Sequence, residues 1–133
     1  MLVSEVMMPL GRCPVIGERV ILKEALEVMG QSRLGIACIV GEYNLLLGIV
    51  TDGDIRRKLL KVQKPVSALF VDDALVHSIR TPTTIKPDVS LKEAIVLMGL
   101  KQVWDLPVVD DTNNLVGLLH LHPAIEALLG LKN

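Results

Sequence analysis

The chain has 133 residues, half of them hydrophobic, with a single Phe, Tyr and Trp and a mean hydropathy of +0.48. Its 14 basic and 15 acidic residues leave a net charge of −1, which argues against the basic face that general nucleic-acid binding needs and leaves room only for a local patch serving one anion. No apolar run reaches the roughly 18 residues that span a bilayer, so the apolar surplus is assigned to a core or an oligomer interface.

The opening MLVSEVMMPL carries an acidic residue and no basic region, so it does not read as a secretory signal. Cys13 and Cys38 lie in no metal-like spacing and read as reduced thiols of a cytoplasmic protein. Met7-Met8-Pro9 reads as core or entry residues. In Val20–Met29, Leu22, Ala25, Leu26 and Met29 recur at helical spacing and predict an amphipathic helix. A short apolar run at Leu34–Val40, a turn at Gly41–Asn44 and a second run ending at Val50 predict a hairpin. A helix from about Gly53 to Lys61 follows, then a linker at Val62–Val76 with room for a helical turn.

The same order then recurs. VSLKEAIVLM at Val89–Met98 repeats VILKEALEVM, with Val20 falling on Val89, a shift of 69 residues. That shift, without a gap, carries Val40 onto Val109, Asn44 onto Asn113 and Gly48 onto Gly117. Leu91, Ala94, Ile95 and Met98 form the second apolar stripe, Asp105–Val109 and LVGLL the second hairpin around Asp110–Asn114, and about Pro123 to Leu129 the last helix. One unit of order β-α-β-β-α therefore occurs twice, with boundaries expected at 1–63 and 77–133 around a 64–76 linker. A unit of about 60 residues buries too little surface to be stable alone. Two copies packed through their strand faces would share a core, with pseudo-twofold symmetry and two equivalent clefts. The fold class is α+β.

The sharpest local signal is GIVTDGDIRR at Gly48–Arg57. A buried strand ends at Val50 and a helix begins near Gly53, exposing free amides at the positive end of a helix dipole, an arrangement suited to phosphate. Thr51 offers a hydroxyl, Gly53 permits close approach to the backbone, and Asp54 can accept hydrogen bonds from a vicinal diol such as ribose. Arg56 or Arg57 supplies charge for a phosphate. The same residues also suit a plain helix start, since Thr51 and Asp52 are good caps and first-turn acids favour the dipole without any ligand.

The two LKEA helices, LLGIVTDGDIRR and its partner LVGLLHLHPAIEAL together resemble a cystathionine-β-synthase (CBS) domain pair over nearly the whole chain. The resemblance implies paired clefts that bind adenosyl or other nucleotides such as AMP or ATP. It gives Thr51 and Asp54 the contacts to phosphate and ribose, with Asp52, Gly53 and Arg57 beside them. It gives the base to main chain and apolar residues of Cys13–Ile16 (Pro14, Val15 and Ile16) and of Gly35, Ile36 and Ala37. TDGDIRRKL and GLLHLHPAIEALLG further resemble the regulatory pair of bacterial arabinose-5-phosphate isomerases, which feed synthesis of the lipopolysaccharide sugar Kdo. That likeness implies a sugar isomerase catalytic domain as partner, CMP or CMP-Kdo as further ligands, and a regulatory piece or a stand-alone relative. A pair attached to a sugar-phosphate nucleotidyltransferase is a second possible parent, and a dimerisation module with a vestigial cleft is the alternative function. A homodimer is expected.

The second copy departs from the pattern. Thr51 maps to His120 and Asp54 to Pro123, which suits a helix's first turn but removes the carboxylate, where the isomerase pairs usually keep an Asp after LHxH. The first-copy site is therefore expected to be the more competent. His120 and His122 alternate along a departing strand and are expected to share a face, where they would contact an anion or stand as a satisfied surface pair. A metal would need further ligands than these, and His77 is not placed near them. Asp72-Asp73 and Asp110-Asp111 fall in a linker and a turn. Asp52 and Asp54 have no accompanying nucleophile or base, so no catalytic residue is assigned. Trp104 is expected to pack at a helix-to-strand junction, with stacking in the second cleft as the alternative.

Overall fold

A computed structural model describes residues 1–131. The elements are α1 (Val3–Val6), β1 (Met8–Pro9), β2 (Val15–Gly17), α2 (Leu22–Ser32), β3 (Ile36–Val40), β4 (Leu46–Thr51), α3 (Asp52–Lys61), α4 (Val66–Phe70), α5 (Leu91–Lys101), β5 (Asp105–Val109), β6 (Leu115–His120) and α6 (Leu121–Leu128). Helices and strands alternate twice, and the fold is α+β.

The repeat is reproduced in backbone detail. Helices α2 and α5 both end on a left-handed residue, Arg33 (φ 56°) and Gln102 (φ 55°). Their buried stripes are Leu22, Ala25 and Met29 against Leu91, Ala94 and Met98. The hairpin turns place Asn44 (φ 63°) and Asn113 (φ 65°) in the left-handed region, which Asn tolerates better than most residues. The register shifts at Ile39/Val40 in one hairpin and at Val108/Val109 in the other.

The chain packs as two compact units whose limits differ from the repeat limits read in the sequence. One unit is Pro14–Pro82; the other joins Met1–Cys13 to the chain from Thr83 onward. Each repeat's entry segment is thus built into the other repeat's unit. In one unit, the Val3 N–H donates to the Val89 carbonyl at 2.9 Å and β1 pairs antiparallel with β6. In the other, the Ala74 N–H donates to the Val20 carbonyl at 2.8 Å and Ile79 bridges Ile49. The reason is that a three-residue edge strand satisfies few backbone groups of the hairpin beside it, and buried N–H and C=O groups need partners.

The Pro14–Pro82 unit carries the sheet β2-β3-β4, with β2 parallel and β4 antiparallel to β3. Its core joins Ile16, Leu22, Ala25, Met29, Ala37, Ile39 and Val50 to Leu69 and Ala74. The stretch read as a linker therefore contributes a helix, α4, whose Leu69 is buried at 2% exposure. The other unit carries the sheet β1-β6-β5, and its core gathers Val3, Leu91, Ala94, Met98, Leu106, Val108 and Leu119.

Exchange of the entry segments also explains the repeated glycine. A Cβ on Gly117 would lie 2.6 Å from the Met7 Sδ and 2.7 Å from the Met8 carbonyl oxygen; on Gly48 it would lie 2.6 Å from the Ser78 Oγ and 2.9 Å from the Ile79 carbonyl oxygen. The entry strand crosses each glycine too closely for any side chain. Gly117→Ala is expected to lower stability by about 1–3 kcal/mol, the usual cost of overpacking against backbone that cannot retreat, read as a lower midpoint in urea unfolding.

Candidate functional site

In the Pro14–Pro82 unit the end of β4 feeds directly into α3. Thr51 caps the helix: its Oγ1 accepts from the Asp54 N–H at 3.3 Å and donates to the Asp54 carboxylate at 2.5 Å. The other carboxylate oxygen of Asp54 accepts from the Arg57 guanidinium at 2.9 Å. Asp54 keeps 20% of its side chain exposed and Arg57 keeps 56%. The Arg57 guanidinium also lies 3.1 Å from where a Gly53 Cβ would stand, so a cation covers the glycine at the helix start. Asp52 is the first helical residue, one ahead of the expected start, and its N–H donates to the Gly35 carbonyl at 3.1 Å. A Cβ on Gly35 would come within 2.7 Å of the Asp52 carboxylate, so any side chain there would displace that carboxylate.

Sheet register brings the remaining predicted residues to the same end of the sheet. Ile36 pairs with Thr51, Ala37 with Val50, and Val15 with Cys38, whose N–H donates to the Pro14 carbonyl at 2.8 Å. Pro14, Ile16, Ile36 and Ala37 are buried, and Ile16 and Ala37 lie in the core cluster. Of this set Gly35 and Val15 are half-buried.

The equivalent junction in the other unit has different chemistry. β6 ends at His120 and α6 begins at Leu121, two residues before the expected start, with the Leu121 N–H donating to the Trp104 carbonyl at 2.9 Å. His120 makes no side-chain cap. Pro123 occupies the place of Asp54 and has no N–H for His120 to accept. Instead, His120 Nδ1 lies 2.8 Å from the Asp105 carboxylate directly across the hairpin. Burial holds the Asp105 carboxyl above the usual carboxylate range, with the His120 contact pulling it back down. Asp105 was not anticipated, although the repeat shift sets it on Ile36, opposite the Thr51 position.

His120 and His122 do not share a face. The strand period stops at His120, and His122 enters the helix, where it pairs with Glu126 at 2.8 Å and is 80% exposed. His120 lines a pocket of about 350 Å3 with Val6, Met7, Met8, Arg12, Leu118 and Pro123. Arg12 comes from a 3-10 turn at Leu10–Arg12, in an entry two residues longer than its counterpart: Met8 to Ile16 corresponds to Ile79 to Ile85. No motif marked it. Trp104 is 71% exposed instead of packed, because its backbone and not its ring secures the junction. His77 lies in the Pro14–Pro82 unit, its side chain 7% exposed and paired with Asp72 at 2.8 Å. Among the described residues no group of three or more His, Cys, Asp or Glu is placed to hold a metal ion, and no helix is long and apolar enough to cross a membrane.

The CBS domain pattern matches residues 3–61 and 71–129. The chain belongs to the CBS domain family, as a tandem pair. A Helicobacter pylori protein of uncharacterized role is 38% identical over 125 residues, 90% of this chain and 34% of its own length. A Haemophilus influenzae protein named as a probable arabinose 5-phosphate isomerase is 36% identical over 108 residues, 81% of this chain and 31% of its own length. The CBS pair thus spans about a third of the curated relatives it matches. Among solved structures, the Arabidopsis thaliana CBS-pair protein CBSX2, in complex with AMP, aligns at TM-score 0.84 and 22% identity, covering 97% of this chain and 96% of that one. The CBS pair of protein MJ0100, in complex with 5′-methylthioadenosine and S-adenosyl-L-methionine, aligns at TM-score 0.76 and 22% identity, covering 98% and 96%.

Proposed function

We propose that this CBS pair is a regulatory module that senses a nucleotide through its first repeat, and that it is not itself an enzyme. The observation that carries the reading is the Thr51–Asp54–Arg57 group at the β4–α3 junction. It combines a helix start and a guanidinium, both suited to phosphate, with a partly exposed carboxylate suited to a ribose diol. The solved CBS pairs carrying AMP or S-adenosyl-L-methionine support this ligand class. The base would meet main chain and apolar groups at Val15 and Gly35, the half-buried members of Pro14–Ile16 and Gly35–Ala37, and such a surface accepts adenine or cytosine. The regulated partner is proposed to be a sugar isomerase domain of the arabinose 5-phosphate isomerase kind, following the Haemophilus relative. Ligand would act by favouring one conformation over another, by no more than its difference in affinity for the two.

The test is calorimetric titration of the chain with AMP, ATP, CMP and CMP-Kdo, backed by thermal shift. A nucleotide present at 100 times its Kd adds about 2.7 kcal/mol and raises Tm by roughly 5–10 °C. A second reading, a dimerisation module with an idle cleft, is favoured by large exposed apolar side chains on helices, Leu60 at 80% and Leu100 at 77%. No heat with any of the four, from a chain that sediments as a dimer, would select it.

A further inference from the structure

The pocket beside His120 lies in the unit where the ribose-type carboxylate is missing, and its chemistry differs from that of the Thr51–Asp54 junction. Its walls are apolar, from Met7, Met8, Val6 and Leu118, and its polar groups are Arg12 and His120. The exposed Arg12 guanidinium has no ion-pair partner among the described residues. His120 commits Nδ1 to Asp105, whose side chain is 7% exposed, and this leaves Nε2 as the ring nitrogen without a hydrogen bond. The start of α6 adds little. The Leu121 N–H is already taken by the Trp104 carbonyl, and Pro123 has no N–H.

We propose that this pocket binds the phosphoryl group of a small phosphate monoester through Arg12 and His120, with the uncharged body of the ligand against the methionines, and that it rejects a nucleoside diol. The Arg12 guanidinium answers the phosphoryl charge, and His120 faces the same pocket with its second ring nitrogen open. With Pro123 in the Asp54 position, no carboxylate is among the described residues that line the pocket, so none faces paired hydroxyls. A volume of about 350 Å3 sits at the small end of ligand sites. The proposal deepens the sensing reading by giving the second repeat a ligand class of its own.

The test follows the imidazole resonances of His120 by NMR in the full chain at constant ionic strength, with inorganic phosphate, phenyl phosphate and adenosine as probes. Phenyl phosphate is expected to shift His120, leave His77 in place, and bind at least fivefold more tightly than inorganic phosphate. Adenosine is expected to leave His120 unmoved. Arg12→Gln, at an exposed position, keeps the wild-type Tm and weakens phenyl phosphate at least tenfold. Asp54→Ala leaves phenyl phosphate affinity unchanged, which separates this site from the nucleotide site whichever way the latter is decided. The proposal is overturned by equal shifts at all three histidines, by wild-type affinity in R12Q, by a His120 response to adenosine, or by inorganic phosphate binding as tightly as the monoester.

Discussion

Leu69→Ala is expected to cost about 2–5 kcal/mol of stability, the largest effect of any substitution considered. Leu69 is buried at 2% exposure among Ile16, Leu22, Met29 and Ala74. Removing most of its side chain forfeits the transfer free energy and leaves a cavity that a close-packed neighbourhood fills only in part. The measurement is the urea midpoint at unchanged slope, with Leu60→Ala as control. Leu60 is 80% exposed, and its loss is expected to shift stability by no more than about 0.5 kcal/mol. If Leu69→Ala behaved like Leu60→Ala, the segment between the repeats would be a tether and not part of a core.

Asp54→Ala is expected to weaken nucleotide binding about 10- to 100-fold. A carboxylate that accepts hydrogen bonds from a ligand contributes about 1.5–3 kcal/mol, and each 1.4 kcal/mol is tenfold in Kd. The same substitution removes the carboxylate that accepts from Thr51 and Arg57, so a stability loss of about 1 kcal/mol accompanies it, within the range of helix-cap losses. The two effects separate cleanly in practice. Calorimetry of the folded variant reads affinity, and Thr51→Ala serves as the companion that loosens the helix start while keeping the carboxylate. If D54A binds as tightly as wild type, Asp54 is a cap and nothing more.

The histidine pair shows where sequence reasoning reached its limit. Alternation placed His120 and His122 on one face, and that holds only while the chain stays a strand. The change to helix at Leu121 rotates His122 away to Glu126. Asp105, by contrast, was within reach. The repeat shift and the hairpin register together set it opposite His120, but the pairing shows only when the two copies are compared position by position and not motif by motif.

From sequence alone come the duplication, the two amphipathic helices with their stripes, the hairpins with their turns at Gly41–Asn44 and Asp110–Asn114, and the strand-to-helix junction at Thr51. These features depend on residues close in the chain, where helix and strand periods and turn preferences act directly. Tertiary structure alone decided that the entry segments change places between units, that Leu69 belongs to a core, and that Arg12 and His120 meet at one pocket. Those outcomes turn on which distant backbone satisfies the open edges of β4 and β6, and N–H and C=O groups are alike in every non-proline residue, so no side-chain pattern announces the choice.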